Sequence, residues 1–143
     1  MRILYSLLII VALSLAACGG AATPAASDAT GEKVVLDAGS YTDIDAAGLQ
    51  AMLSDKDFTF VNVHIPFEGD IAKTDLSIPY NEIDQHLDQL PAEKDAKIVL
   101  YCRSGRMSEI AAGTLVGLGY TDVWNLKGGM LAWEKDGLPL EGK

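Results

Sequence analysis

Three short apolar runs in the second two-thirds of the chain predict buried strands. Each run is rich in β-branched and aromatic side chains and is too short to be a typical helix. The runs cover residues 58–63, 97–101 and 122–126.

Amphipathic stretches between these runs predict three helices. The first has Asp45 as its cap and extends to Leu53, with its apolar side chains on one face. The second is Glu82–Leu90, capped by Asn81, and the third is Ser108–Leu118, ending before Gly119. Because the strands alternate with helices, the pattern is typical of an α/β fold with a mainly parallel sheet covered on both faces.

The chain begins with a pattern that differs from the rest. Arg2 is followed by an uncharged apolar stretch, residues 3–17, which is shorter than the roughly 20 residues that span a bilayer as a helix. A positive start, an apolar core and small residues before a cleavage site are typical of a secretory signal. The stretch ends Leu15-Ala16-Ala17-Cys18, which resembles the lipobox of bacterial lipoproteins. An ordinary signal peptide and an uncleaved anchor are the alternatives.

The lipobox resemblance implies cleavage before Cys18 and lipid attachment to its thiol, which would make the N-terminal lipid the only contact with a membrane. Residues 19–32 are rich in Ala, Gly, Ser and Thr and lack large apolar side chains, so they are typical of a flexible tether. The predicted organisation is therefore a signal peptide at 1–17, a lipidated cysteine with its tether at 18–32, and one folded domain at 33–143. The domain is expected outside the cytoplasm, anchored to the cell-envelope membrane.

Composition excludes several classes of protein. The 143 residues carry a formal charge of −9, and removal of residues 1–17 takes away Arg2 and no acid, which brings it to −10. Nucleic-acid binding needs a basic face, so we expect no nucleic-acid partner. No cluster of His, Cys and acidic residues has metal-ligand spacing, and neither a metal nor another cofactor is expected. With Cys18 acylated, Cys102 is the one free thiol.

Cys102 is the candidate nucleophile because of its position in the pattern. It directly follows a predicted strand, and the carboxyl ends of parallel strands are where sites gather in such sheets. Gly105 permits a tight turn whose backbone N–H groups can converge on an anion, and the following helix favours a thiolate. Arg103 and Arg106 add two cations. Adjacent loop residues face opposite ways, so the pattern leaves open which arginine faces the site, with Arg106 favoured.

Three other interpretations of this cysteine fit less well. A cysteine-dependent phosphatase needs an arginine six positions after the nucleophile, where this chain has Ser108. Dithiol redox chemistry uses Cys-x-x-Cys, and position 105 is glycine. An inert buried cysteine is common, but it needs neither the flanking arginines nor the Gly-Ser loop.

The active-site loop, Cys102-Arg103-Ser104-Gly105-Arg106-Met107-Ser108, resembles that of the single-domain rhodaneses, the thiosulfate sulfurtransferases. Later motifs resemble the ending of the same family, and the similarity extends over most of residues 41–138. These motifs are Leu118-Gly119-Tyr120, Gly128-Gly129-Met130 and Trp133. The resemblance implies a three-layer sandwich around a mainly parallel five-stranded sheet.

The same resemblance implies a chemistry. Cys102 would cycle between thiolate and persulfide, taking sulfur from thiosulfate or a persulfide donor and passing it to cyanide or a thiol. The amides of the loop would stabilise the anionic persulfide, and Ser104 or Ser108 could add a hydroxyl donor. The alternative is a rhodanese-like sulfur carrier or docking module without efficient thiosulfate turnover, which would accept one sulfur and then need a partner.

One segment departs from the family pattern. Where rhodaneses usually have Asp-Val-Arg, this chain has Asn62-Val63-His64, while Pro66 and Glu68 fall in their usual places. The usual Asp–Arg pair is therefore missing, and its structural role must be met differently. His64 and Glu68 are candidates for contacts behind the active-site loop, with His64 more often a structural hydrogen-bonding group than a catalyst at such a position.

Overall fold

The computed structural model describes residues 31–143 and shows a mixed α/β domain. The predicted signal peptide, Cys18 and most of the predicted tether lie outside the described residues. The strands are β1 (Glu32–Leu36), β2 (Gly39–Ile44), β3 (Thr59–Asn62), β4 (Leu76–Ser77), β5 (Ile98–Tyr101) and β6 (Val123–Leu126). The helices are α1 (Ala46–Ser54), α2 (Arg106–Gly117) and α3 (Gly129–Lys135).

The strands form one sheet in the order β1-β2-β6-β5-β3-β4. Every pair is parallel except β1–β2, an antiparallel hairpin at one edge. The three predicted strands are confirmed as β3, β5 and β6, and all three lie inside the sheet. The sheet has six strands, one more than the five that the family resemblance implies. The edge hairpin and the two-residue β4 lack the continuous apolar run that marks a buried strand, so the apolar pattern did not predict them.

Helices cover both faces of the sheet, as predicted. On one face, Ala111, Ala112 and Leu115 of α2 pack into a cluster with Leu100 and Cys102. On the other, α1 and α3 enclose a second cluster that includes Phe60, Tyr101 and Trp133. The alternation of side chains along β5 sends Leu100 to one cluster and Tyr101 to the other, and both are fully buried.

Two of the three predicted helices are confirmed. Asp45 caps α1 by accepting a hydrogen bond from the N–H of Gly48 at 2.7 Å. Helix α2 begins at Arg106, two residues before the predicted start, and gives way at Leu118 to Gly119, whose φ is +90°. Among residues 31–143, no helix has the length and apolar character needed to cross a bilayer.

The predicted helix at 82–90 is wrong. The segment forms two short 3₁₀ turns, Ile83–Gln85 and Leu87–Gln89, with His86 between them outside the helical region. These turns bury Ile83 and Leu90 with the spacing that a helix would give, so the apolar pattern could not separate the two structures. Asp84, His86 and Asp88 are weak helix formers, and Leu90 is extended before Pro91 as a residue preceding proline usually is.

Candidate active site

Cys102 lies between the end of β5 and the start of α2, at the carboxyl edge of the sheet as predicted. Its side chain belongs to the core, and the residue is only 1% exposed. The backbone N–H of Gly105 points at its sulfur, with 3.1 Å between N and Sγ. Gly105 has a φ of +98°, which turns the chain back over the sulfur and into α2. The arrangement suits a sulfur that carries negative charge.

Ser108 is the hydroxyl residue that reaches the sulfur, whereas Ser104 is exposed. The Oγ of Ser108 lies 3.5 Å from Sγ of Cys102 and 2.9 Å from the carbonyl oxygen of Gly105. A hydroxyl has one proton to donate, so these two acceptors compete for it and the nearer carbonyl is favoured. Ser108 therefore braces the loop and offers the sulfur a secondary donor.

The remaining loop residues point in different directions. Arg103 is exposed, and its Nε lies 3.1 Å from Oε2 of Glu68. Arg106 is exposed at the first position of α2. Met107 is partly buried and packs against the apolar cluster on the α2 face, so it anchors the loop to that cluster.

The glycine pair before α3 lies directly against the loop. The N–H groups of Met130 and Leu131 donate to the carbonyl oxygens of Cys102 and Arg103, each at 2.9 Å. A Cβ on Gly129 would lie 2.2 Å from the carbonyl oxygen of Cys102, and the φ of Gly129 is +57°. Only glycine fits this approach. The Gly-Gly motif is thus the support that fixes the backbone around the sulfur.

The segment after β3 is held by a buried side-chain network. Asn62 is fully buried, and its amide donates to the carbonyl oxygen of Gly69 at 3.0 Å and to Oδ1 of Asp70 at 2.9 Å. Its own carbonyl oxygen accepts from the N–H of His64 at 3.0 Å. The role left open by the missing Asp–Arg pair is therefore met by an amide that binds one carboxylate and two backbone groups.

Tyr101 completes this network, and the sequence pattern did not single it out. Its hydroxyl donates to Oδ1 of Asp70 at 3.0 Å, accepts from the N–H of Ile71 at 3.0 Å and lies 2.8 Å from Oγ1 of Thr74. Burial raises the pKa of Tyr101 above its ordinary value of 10.0. These partners are about thirty residues apart along the chain, so no local motif could have revealed them.

Glu68 links the two loops. Its Oε2 lies 3.1 Å from Nε of Arg103 and 3.3 Å from Nε2 of His64. The His64 contact is at ion-pair distance but outside hydrogen-bond geometry, and neither ring nitrogen of His64 makes a hydrogen bond within residues 31–143. His64 is buried, while Glu68 and Arg103 are both partly exposed. The structure thus brings both predicted supporting residues to the loop, with Glu68 as the bridge.

The geometry supports nucleophilic chemistry at one sulfur. A buried cysteine receives a backbone N–H at a helix N-terminus, and a glycine pair fixes the loop from behind. In the part of the chain that the structure describes, no group of His, Cys, Asp and Glu side chains is arranged to hold a metal ion.

Comparisons of sequence and structure relate this chain to known proteins. The family model described as "Rhodanese-like domain" matches residues 49–136. A protein named "Sulfurtransferase" from Allochromatium vinosum is 36% identical over 102 residues, which cover 68% of this chain and 92% of that protein. A tRNA uridine(34) hydroxylase from Erwinia tasmaniensis is 32% identical, but the chain spans only 33% of its length. A rhodanese-related crystal structure from Thermoplasma volcanium matches with a TM-score of 0.58 and 32% identity, covering 68% of this chain and 95% of that one.

Proposed function

Because this chain belongs to the rhodanese-like domain family, we propose that it is a sulfurtransferase that carries sulfane sulfur as a persulfide on Cys102. The observation that carries the proposal is the N–H of Gly105 aimed at Sγ of Cys102 at the start of α2. Thiosulfate or a persulfide is the donor, and cyanide or a thiol is the acceptor.

In the loading step, the thiolate of Cys102 attacks the outer sulfur of thiosulfate. The bond between the two thiosulfate sulfurs breaks, and its electron pair leaves with sulfite. The N–H of Gly105 stabilises the negative charge on Sγ before the attack, and does so again once the sulfur has been passed on, as an oxyanion hole does for oxygen. Gly129 and Ser108 hold the loop in this position around the sulfur.

Arg103 and Arg106 are the cations that would attract an anionic donor to an acidic protein. They are not equivalent. Arg103 already has a carboxylate partner in Glu68. Arg106 makes no ion pair with any residue between 31 and 143. Arg106 is therefore the cation available for steering.

A second candidate is a sulfur carrier or docking module that needs a partner for turnover. Two observations favour it: the altered Asn62–His64 segment and the pairing of Arg103 with Glu68, which lowers the positive charge facing a dianionic donor. The hydroxylase relatives share only about a third of their length with this chain, so we do not extend their activity to it.

We also propose that the domain works outside the cytoplasm, held to the cell-envelope membrane by lipid on Cys18. The Leu15-Ala16-Ala17-Cys18 sequence after an apolar stretch supports this. The test is membrane fractionation of the full chain beside Cys18→Ser. Retention of the wild type and release of the variant are expected, and equal release of both would contradict anchoring through Cys18.

The test of the sulfur chemistry is intact mass after incubation with thiosulfate. The full chain carries Cys18→Ser and is purified in detergent, which leaves Cys102 as its one cysteine. We expect a gain of one sulfur atom, discharged by cyanide or a thiol, and no gain in the Cys102→Ala variant.

The other outcomes separate the two candidates. An adduct with a persulfide donor but none with thiosulfate would support the carrier. The absence of an adduct from any donor would mean that Cys102 is structural, and both candidates would be rejected.

A further inference from the structure

His64 is a buried titratable side chain that the proposed loading step does not use. Its side chain is 8% exposed, and neither ring nitrogen makes a hydrogen bond within the described residues, 31–143. Buried polar groups usually have a partner, because an unpaired one costs free energy. A carboxylate lies within reach of the ring, since Oε2 of Glu68 is 3.3 Å from Nε2 of His64.

The same oxygen of Glu68 contacts the active-site loop. Nε of Arg103 lies 3.1 Å from it. The strand pairing agrees with this contact, because β3 and β5 are adjacent and parallel and the N–H of Val63 donates to the carbonyl oxygen of Tyr101 at 2.8 Å. The segments that carry His64 and Arg103 therefore leave the sheet side by side. A charge on His64 acts on an anion that approaches the loop.

The net charge of this cluster depends on the protonation of the imidazole. With a neutral ring, Glu68 and Arg103 cancel, and the three side chains carry no net formal charge. A protonated ring can donate to Glu68, and the cluster then carries a single positive charge. Glu68 is 42% exposed, so this ion pair keeps one member in contact with water, which limits its desolvation cost. Histidine is the side-chain type whose charge ordinarily changes between about pH 5 and 8.

Other charged or titratable side chains come from α3, the C-terminal segment, the segments on either side of β4 and the active-site loop. They are Glu134, Lys143, Asp70, Tyr80, Arg106 and Cys102. Glu134 and Lys143 pair with each other, so their charges cancel. Carboxylic acids, tyrosine, lysine and arginine ordinarily ionise outside the range from about pH 5.5 to 8.5. The thiol of Cys102 is retained in every variant compared below.

We infer that His64 is a positioning residue for donor loading: when protonated it binds Glu68, and it thereby raises the positive charge that an anionic donor meets beside Arg103. The inference rests on the proposed function, since it concerns the loading of Cys102. His64 acts through Glu68 and Arg103 rather than on the donor itself, because both of its ring nitrogens are shielded from solvent. An anionic donor therefore gains from His64 at acid pH and gains nothing from it at alkaline pH.

The test is the rate of loading by thiosulfate between pH 5.5 and 8.5, measured by intact mass of samples quenched at successive times. The full chain with Cys18→Ser is compared, at low ionic strength, with the same chain carrying His64→Gln. We expect the ratio of the two loading rates to be about fivefold at pH 5.5 and to approach one at pH 8.5, where equal rates also show that the variant is folded. Ionisation of Cys102 affects both proteins, so the ratio isolates the contribution of His64. Addition of about 0.5 M NaCl at pH 5.5 should bring the ratio closer to one.

Two further variants serve as controls. His86→Gln removes the other histidine, whose Nε2 lies 3.8 Å from Oε2 of Glu82 with the same i,i+4 spacing but at an exposed position. Its loading rate should equal that of the parent chain at every pH. His64→Arg places a fixed charge beside Glu68, so its loading rate relative to His64→Gln should stay about fivefold higher across the whole range.

Proton uptake by His64 can be measured without any sulfur donor. An NMR titration follows the ring signals of both histidines, and His86→Gln assigns them. We expect the ring of His64 to take up a proton as the pH falls from 8 to 5. In Glu68→Gln, which keeps the shape of the side chain without its charge, uptake should occur at a lower pH.

The results that would overturn the inference are distinct from a failure of the proposed function. A ratio of loading rates that is the same at every pH would mean that His64 only fills space behind the loop. Proton uptake that is unchanged in Glu68→Gln would show that Glu68 is not the partner of His64. Failure of the parent chain to load sulfur at any pH would reject the proposed function and the role of His64 in it, whereas the NMR titration would still report on the pair itself.

Discussion

The active-site loop and the segment of residues 63–71 leave the sheet at the same edge, after the neighbouring strands β5 and β3, but they are held differently. The loop is held mainly by backbone groups: the N–H of Gly105 on the sulfur and the N–H groups of Met130 and Leu131 on its carbonyls. The 63–71 segment is held by the side chains of Asn62, Asp70 and Tyr101.

This difference explains which part of the chain follows the family pattern. Backbone hydrogen bonds of this kind need glycines at fixed positions but tolerate many side chains elsewhere. The loop can therefore be recognised from a short sequence motif. A side-chain network can be rebuilt with different partners, provided that every buried polar group finds one. The 63–71 segment can therefore contact the loop through Glu68 without the Asp–Arg pair that is usual in the family.

The largest expected effect comes from breaking the backbone support of the loop. Gly129→Ala would force a Cβ to within 2.2 Å of the Cys102 carbonyl oxygen at a positive φ. We expect a loss of about 3 kcal/mol in the free energy of unfolding, measured by urea denaturation, and loss of sulfur loading.

The matched control is Gly117→Ala, at the end of α2. No atom lies within 4 Å of the added Cβ, and its φ is not positive. Its stability should stay within about 1 kcal/mol of the wild type. Equal behaviour of the two variants would contradict the role given to the Gly129 contact.

The second largest loss of stability is expected when the family's usual Asp replaces Asn62, which holds the 63–71 segment. Asn62→Asp replaces an amide donor with a carboxylate that faces the carbonyl oxygen of Gly69 and Oδ1 of Asp70. We expect a loss of about 2 kcal/mol in unfolding free energy, because a buried donor becomes an acceptor among acceptors. Asn81→Asp, at an exposed position, is the control. A more stable Asn62→Asp would mean that the network is not what holds the segment.

A smaller effect is expected from Tyr101→Phe, which removes one hydroxyl from the same network. The loss should be about 1–2 kcal/mol near neutral pH. Burial raises the pKa of Tyr101, so this group contributes stability below its unfolded pKa of about 10, and that contribution is lost as the pH rises above it.

Denaturation between pH 9 and 11 checks the sign of this effect. The wild type should lose more stability over this range than the variant. Part of the slope should remain in the variant, because burial also raises the pKa of Tyr41. Identical slopes would contradict the assignment to Tyr101.

The smallest effect should come from Ser108→Ala inside the loop. Its hydroxyl proton is shared between the nearer Gly105 carbonyl and the sulfur, while the N–H of Gly105 remains in place. We expect the rate of sulfur loading to be about threefold to tenfold lower, measured by intact mass of samples quenched at successive times. The loading rate of the control variant Ser104→Ala should be unchanged. A complete loss of loading would show that the hydroxyl, rather than the backbone, stabilises the charged sulfur.

The sequence was sufficient to predict those elements whose position depends on neighbouring residues along the chain. The apolar runs located β3, β5 and β6, the Asp45 cap located α1, and the pattern placed Cys102, the candidate nucleophile, at a strand end. The edge hairpin was not predicted because it lacks a continuous apolar run, and the 3₁₀ turns were not predicted because their apolar spacing is also that of a helix. The Asn62–Asp70–Tyr101 network and the bridge from Glu68 to Arg103 join residues distant in sequence, and only the folded chain shows them.

The near-complete burial of Cys102 also determines how far its sulfur can reach. A disulfide between two chains needs their Cα atoms within about 7 Å, an approach that a thiol only 1% exposed disfavours far more than it disfavours a small donor. A persulfide adds one S–S bond of about 2 Å, which places the reactive atom that distance from Sγ. If Cys102 carries sulfur as proposed, the atom that is exchanged is the added one, while the buried thiol itself is shielded from cross-linking to another chain.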